Sequence, residues 1–502
     1  MEGLHFMSKN LSVSSLVLII ITTVYSFSSM STAFFMMGIK SLPWFLISAG
    51  LYFIPYALIV AQYTKKYAQK SGTIYDWLKD SLSPKAAFIT VFLWYCSYFT
   101  WMVSLFMKLT IPLSILLFGE DLTKKDTWFF LPTNLFLALC SIFLVFLIHW
   151  MIAKGFQTIV TFLKISSFAM IGLLCLSLLS NLTLVFHHLD QFWPNVLKSF
   201  HAPSFFQGTT NHFTSQLPFF IFSITAFGGL DTVASLSDRT KNSQKRYPKA
   251  LIISAGVIVL LYCFGILLWS GGNDLVTLRE AKQVHLGNLM YSLMGNLATD
   301  LAQTLQLSSN VSELLQQVYT RYTAFTLALA YLGLLSSISY GPLKSLLKGT
   351  PKEIWPTKLL CSNKEKMPIN ALILQAISVA LFILALSTQN QFLGDLFNQL
   401  TYMTNVSRAI PYFLVAMSFP FFLKKKLISR QELFIQSRNL NILLSFSVCL
   451  CVFIAIGFQI YEPLMLGNYT NLFTLIMGPA FFGSFAYTLY LRFERKMLTD
   501  AL

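Results

Sequence analysis

Charge is what this sequence has least of. Asp, Glu, Lys and Arg together make up 11% of the 502 residues, where a soluble globular chain carries roughly a quarter. That excludes an ordinary soluble enzyme of this length. Histidine is scarce too, at seven, and there is no HExxH, no Gly-rich phosphate loop and no nucleotide motif. The seven cysteines lack metal-ligand spacing: six lie in apolar runs, Cys361 lies in a basic loop, and Cys449-x-Cys451 is not a redox pair. No metal, no cofactor and no catalytic constellation is expected. The first apolar run lacks a small-residue cleavage site, so it reads as a membrane span rather than a removed leader.

What fills the chain instead is apolar. Hydrophobic residues make up 55% of it, and mean hydropathy is +0.63. An all-α integral membrane protein is expected. The net charge of +16 could suit nucleic acid, but the basic residues sit in short tracts between apolar runs, such as "KKYAQK", "DRTKNSQKR" and "KKKLISR". Such tracts orient helices in a lipid bilayer, so the bilayer is the expected partner and nucleic acid is not.

A helix crossing hydrocarbon needs about 20 mostly apolar residues. Twelve segments qualify: 11–37, 43–63, 86–118, 128–152, 157–180, 215–237, 248–270, 321–345, 368–388, 393–423, 438–461 and 469–492. With both termini in the cytoplasm, the inward connections 64–85, 153–156, 238–247, 346–367 and 424–437 carry most of the Lys and Arg, as orientation requires. Two outward connections are long, 181–214 and 271–320. The second contains "LMYSLMGNLATDLAQTL", patterned as an amphipathic helix lying at the surface. "GTIYDWLKDSL", at 72–82, reads as a short inward helix at the interface.

Within the spans, Lys108, Lys164, Asp231 and Arg408 are the ionisable residues that stand out. Each costs about 2.5–3.5 kcal/mol at a helix centre, so each is expected to face a cavity or a partner, unless a long cationic stem reaches the surface. Three potential cations against one anion leave positive charge over. Either Lys164 is neutral, as burial favours, or a carboxylate-bearing substrate supplies the missing charge. Outside the spans, His187, His188, His201, His212 and His285 lie in outward loops. An acid-sensing gate and plain loop polarity both fit them.

Two spans also carry helix-weakening stretches. Span 6 contains Thr225, Ala226, Phe227, Gly228 and Gly229, followed by Asp231. Span 1 contains Ser26, Phe27, Ser28, Ser29 and Met30. Serines compete for backbone hydrogen bonds, and glycines weaken a helix. Span 1 opens the first five spans and span 6 the next five. Interruptions at corresponding positions of two halves point to an inverted-repeat transporter with its site at the midplane.

Four stretches then carry a family resemblance: "FGGLDTVASLSDRTKNSQKRYPKAL" at 227–251, "GTIYDWLKDSL", "GFQTIVTFLK" at 155–164, and "GPLKSLLKGTPKEIWP" followed by "NKEKMPINALILQ". In this order they resemble the amino acid–polyamine–organocation superfamily, and within it the bacterial glutamate/GABA-antiporter-type permeases. The resemblance implies a LeuT-type fold of five plus five inverted repeats with two C-terminal helices added. The halves would span 1–180 and 215–424, with 181–214 an outer loop and 425–502 the last two spans and a tail. It implies transport of an amino acid by exchange or with protons, in a bacterial inner membrane. Ser26 to Met30 and Thr225 to Gly229 would be the unwound segments. Asp231 would gate or couple protons, and Lys164 would take the place of a sodium ion between spans 1 and 8. Span 1 departs from the family in having Ser-Phe-Ser-Ser with no glycine. Lys108, Ser336, Ser337 and Arg408 are the candidate side chains around the substrate. A membrane enzyme would need a catalytic cluster that is missing, and a transporter-like sensor would usually add an output domain.

Overall fold

The computed structural model describes residues 13–67, 74–128, 130–202, 205, 216–230, 243–280, 284–365, 367–387, 393–429, 433–465, 467 and 469–500. Almost everything in it is helix. Span 1 is two pieces, α1 (Val13–Val24) and α2 (Phe27–Met37), followed by α3 (Ser41–Ser48) and α4 (Ile54–Lys66). One wide π turn, Ala49–Phe53, joins α3 to α4. Its cause is local. Pro55 has no N–H to return to the preceding turn, and the Ile54 N–H reaches back to the Ala49 carbonyl.

The short α5 (Ile74–Ser81) leads into α6 (Pro84–Phe118). Ser83 caps α6 by accepting from the Ala86 N–H at 3.2 Å, with Pro84 in the first turn, where a missing N–H is harmless. Next come α7 (Thr133–Ala153), α8 (Phe156–His187), α9 (Leu189–His201) and α10 (Phe219–Ala226). They are followed by α11 (Ser243–Gly272), α12 (Leu275–Glu280), α13 (Leu289–Thr304), α14 (Ser309–Gly349) and the single turn α15 (Thr357–Leu360). The chain ends with α16 (Ile369–Ser387), α17 (Leu393–Lys424), α18 (Arg438–Met465) and α19 (Tyr469–Asp500). One two-stranded ribbon, Thr127–Trp128 against Leu131–Pro132, sits before α7.

At the centre stands α6, which packs against α14, α17, α19, α5 and α7. The broken helices sit beside it: α1 lies on α11, and α10 lies on α3, α17 and α18. Outward faces are strongly apolar. Phe143, Phe146 and Trp150 of α7 and Phe168 and Leu179 of α8 are exposed, a surface suited to hydrocarbon rather than water. Among the described residues, nine helices are long and apolar enough to cross a membrane. Twelve were expected. The difference has three sources. Gly38–Lys40 is so tight a turn that Phe27–Lys66 runs as one apolar helix. Span 6 stops at its break after eight helical residues. The last span, α19, is not among the nine.

Two short elements depart from expectation in how they are used. The amphipathic segment of the second outer loop is a helix, α13, but its apolar side is not left at a lipid surface. Leu289, Met290, Leu293, Met294, Leu297, Ala298 and Leu301 are buried, and α13 packs on α14 and α8. The inward helix α5 likewise buries Trp77, whose indole stacks on the Tyr63 ring at 5.1 Å and 6°. The first outer loop contains a helix that the sequence pattern did not announce, α9. Its Ser199 hydroxyl accepts from the Ile39 N–H at 3.0 Å.

Candidate functional site

Span 1 breaks at Tyr25 and Ser26. The break is shorter than the resemblance implied, because Phe27, Ser28, Ser29 and Met30 already form the first turn of α2. With no glycine present, the chain turns by helix capping instead. Ser26 is extended (φ −125°, ψ 119°), and its hydroxyl accepts from the Ser29 N–H at 3.3 Å, as an N-cap serine does. The first amides of α2, those of Phe27 and Ser28, lie at a helix N-terminus, where donors lack intrahelical acceptors and the dipole favours an anion.

Span 6 breaks at Phe227, Gly228 and Gly229. A tightened last turn ends α10, with Phe227 N–H on the Ile224 carbonyl (3.2 Å) and Gly228 N–H on the Thr225 carbonyl (3.0 Å). Gly229 has φ +117°, a conformation that L side chains avoid. At Gly228 the constraint is space, since a Cβ there would run into the Tyr412 hydroxyl and Nη2 of Arg408. Thr225 donates to Oδ1 of Asn405 at 2.9 Å, which fastens α10 to α17.

Tyr262, on α11, joins the two breaks. Its hydroxyl accepts from the Ser26 N–H at 3.2 Å and donates to the Ala226 carbonyl at 3.0 Å. Each broken helix thus has one freed backbone group satisfied by the same phenol, as a water-poor interior demands. The Tyr262 ring packs against Tyr25 (4.9 Å), Phe45 (4.8 Å) and Phe227 (5.3 Å), and Phe227 stacks on Phe53 of the π turn at 4.5 Å. The site is an aromatic box built around two interrupted helices.

Arg408 supplies its cation. The guanidinium lies 4.2 Å from the Trp101 ring centroid, a cation–π contact, and Nη2 donates to the Tyr412 hydroxyl at 3.4 Å. Only 9% of Arg408 is exposed. Arg408 and Tyr412 both lie on α17 and reach the Gly228 backbone directly, while Trp101 on α6 backs the guanidinium, so two helices close on the end of α10.

The other candidates are less central. Lys108 lies seven residues beyond Trp101 on α6, two turns along the same face. Its charge acts on His285 in the outer loop. Ser336 is buried and turns its hydroxyl back to the Leu332 carbonyl at 2.7 Å, while Ser337 is half-buried. Lys164 is exposed on α8, beside exposed Ile165 and Phe168, so its side chain is not drawn into the break. Lysine stems can reach outward in this way. Asp231 lies outside the described residues, as does His212. Of the other outward histidines, His187, His188 and His201 are exposed. His285 is buried: its Nε2 faces the Thr123 hydroxyl at 3.1 Å, and its Nδ1 accepts from the Gly287 N–H at 3.1 Å. Burial pushes its pKa down to about 4, with Asp121 pulling the other way and Lys108 and Lys124 adding to the fall.

Several contributors escaped the sequence reading. Tyr262, Trp101, Tyr412 and Asn405 look like ordinary residues of apolar helices. His149 sits alone in an apolar run, where no sequence pattern marks it. In the structure it is 5% exposed inside α7 and hydrogen-bonded to Gln375.

Two interrupted helices face one another at this site, and comparison with known proteins identifies the family. The family described as amino acid permease matches residues 11–482. The inner membrane transporter YjeM of Salmonella typhimurium is 32% identical over 494 residues, covering 98% of each chain. The aspartate/glutamate permease AcaP of Lactococcus lactis subsp. cremoris is 24% identical over 79% of this chain and 76% of its own. Among solved structures, the manganese transporter of Eremococcus coleocola superposes with a TM-score of 0.55 at 15% identity, covering 98% and 97% of the two chains. That last likeness bears on the fold alone, which is the LeuT-type fold. The chain is a multi-pass membrane transporter and not an enzyme, and it belongs to the amino acid permease family of the amino acid–polyamine–organocation superfamily.

Proposed function

We propose that this protein exchanges carboxylate-bearing amino acids, of the glutamate or GABA kind, across a bacterial inner membrane by alternating access, with both termini in the cytoplasm. One observation carries the proposal: the Arg408 guanidinium lies against the Gly228 backbone at the break of span 6. The break of span 1 is tied to that of span 6 through Tyr262. A substrate carboxylate takes Arg408 and the first amides of α2. Its amine takes carbonyls freed at the end of α10. The similarity to an aspartate/glutamate permease supports this substrate class.

In this reading the halves 1–180 and 215–424 move against each other around the site, with 181–214 connecting them outside and 425–502 appended. Lys108 steers anions in from the outer end of α6. Ser336 and Ser337 line span 8 nearby. Lys164 and Asp231 are the coupling candidates, Asp231 on its sequence position two residues after Gly229.

The test is exchange in liposomes containing only this protein. Labelled glutamate, aspartate and GABA are loaded outside, against a panel of internal amino acids. Uptake that requires internal amino acid supports the proposal. Uptake into empty liposomes driven by a pH gradient would replace exchange with proton symport. No uptake of any acidic amino acid or GABA would remove the substrate assignment.

A further inference from the structure

A second polar cluster lies inside the helix bundle, away from the breaks. His149 of α7, Gln375 of α16, Ser339 of α14 and Tyr95 of α6 are joined by hydrogen bonds. The Gln375 Nε2 donates to the Ser339 carbonyl at 3.0 Å and faces the His149 Nε2 at 3.1 Å. The Gln375 Oε1 accepts from the Tyr95 hydroxyl at 2.9 Å. The other imidazole nitrogen, Nδ1, lies 2.8 Å from the Val145 carbonyl. The ring stacks on Phe106, with centroids 6.1 Å apart. His149 is 5% exposed and Gln375 2%.

These contacts fix every proton. A backbone carbonyl can only accept, so the amide nitrogen of Gln375 must face Ser339. Its second hydrogen then points at His149, whose Nε2 must accept. The imidazole is therefore neutral, with its proton on Nδ1, held by Val145. We propose that His149 is a proton-binding site within the membrane, and that its protonation is transmitted through Gln375 to the substrate site.

A proton taken from water onto Nε2 makes an imidazolium and sets two N–H donors against each other. The amide can turn over, offering Oε1 to the imidazolium. It then opposes one carbonyl oxygen with another at Ser339, and Tyr95 must accept where it donated. Alternatively the ring withdraws. The first course breaks the bond from α16 to α14, and the second breaks the bond from α16 to α7. In a low-dielectric interior an unmade bond of this kind is costly.

The consequence reaches the break through α6, whose Trp101 lies under the Arg408 guanidinium. The Ser339 hydroxyl donates to Sδ of Met102 at 3.2 Å, and Met102 adjoins Trp101, under the guanidinium. Tyr95 lies on the same helix as Trp101. The titratable groups around His149 are few. From α6, Tyr95 faces it through the amide, with Cys96 adjoining. From α16 and α14 come Gln375 and the Ser339 backbone, neither of which titrates. On α8, also against α7, Lys164 is exposed. On α7 itself, Lys154 sits over Trp150 at the helix end.

The inference rests on the transport reading for its functional consequence, and the experiment separates the two. Exchange in proteoliposomes is measured from about pH 4 to 8, reaching below the ordinary histidine range because burial opposes the imidazolium. Wild type shows an acid-side fall. His149→Gln removes most of that fall, leaving the part that His285 contributes. Gln375→Glu, which sets a carboxylate against the imidazole, moves it upward by at least about one pH unit. In parallel, the Tm of purified protein falls more on acidification in wild type than in His149→Gln. If no amino acid is exchanged, the transport reading fails and the Tm series still decides the proton site. If His149→Gln does not fold, the Gln375→Glu shift decides. Equal Tm loss in wild type and His149→Gln, or an acid-side fall left in place by these variants, would overturn the proposal.

Discussion

Gly228 and Gly229 do different work one residue apart. Gly229 is required by backbone conformation, so Gly229→Ala stores strain of about 1–3 kcal/mol and lowers Tm. Gly228 is required by the neighbouring Arg408 and Tyr412. Gly228→Ala is expected to reduce exchange more than stability, because the added methyl displaces the guanidinium. Measuring Tm and exchange on both variants separates conformation from space. Arg408→Lys keeps the charge but loses the planar contact with Trp101, and at least a tenfold loss of exchange is expected. His285 makes the outer loop acid-sensitive. Its folded pKa is depressed to about 4 from an ordinary value of about 6.5. Neutral His285 contributes its full stability above about pH 6.5, and that contribution is lost as pH falls toward 4. A pH series of Tm should show His285→Asn losing part of the acid sensitivity that wild type has.

Among elements, the two breaks were legible to different degrees. Span 6 announced itself because a glycine pair in an apolar helix is costly unless the helix stops there. Span 1 was located, but its extent was not. Five residues were expected to unwind, and four of them are helical, because Ser26 starts the second helix at once by capping its N-terminus. Tyr262 was invisible for a simpler reason: an isolated tyrosine in an apolar run looks like packing, and only a fold that brings residue 26 to residue 226 reveals two acceptable partners. Tyr262→Phe strands the Ser26 N–H and the Ala226 carbonyl, at about 1–3 kcal/mol for each buried group. Lower Tm and weakened substrate binding by calorimetry are expected together. The outer end of α2 has its own clamp. The guanidinium of Arg279, on α12, donates to the carbonyls of Phe35 (2.7 Å) and Met36 (2.5 Å), where the helix dipole favours a cation.

At the scale of the whole molecule, class and architecture could be read from hydropathy and from where Lys and Arg fall. Those signals arise from burial and membrane charge and need no tertiary contact. The site could be read only in part, since Trp101, Asn405 and Tyr412 gain meaning from helix crossings that no local pattern encodes. Orientation remains testable with the native cysteines. Cys361 is exposed in the connection between α14 and α16, which the charge pattern puts in the cytoplasm. A membrane-impermeant maleimide should label Cys361 in inside-out vesicles and spare it in intact cells. Labelling in intact cells would reverse the topology.

The phenol that joins the breaks also sets an order of assembly. Ser26 leaves the ribosome 236 residues before Tyr262, an interval on the order of 10–50 s at ordinary synthesis rates. Until span 7 follows, the nascent chain holds a discontinuous first helix whose amide lacks its eventual acceptor. Span 6 then arrives with a carbonyl in the same position. The early spans of this protein are therefore poor candidates for release into lipid one at a time. They need shelter, in the insertion machinery or against one another, until the seventh helix is made.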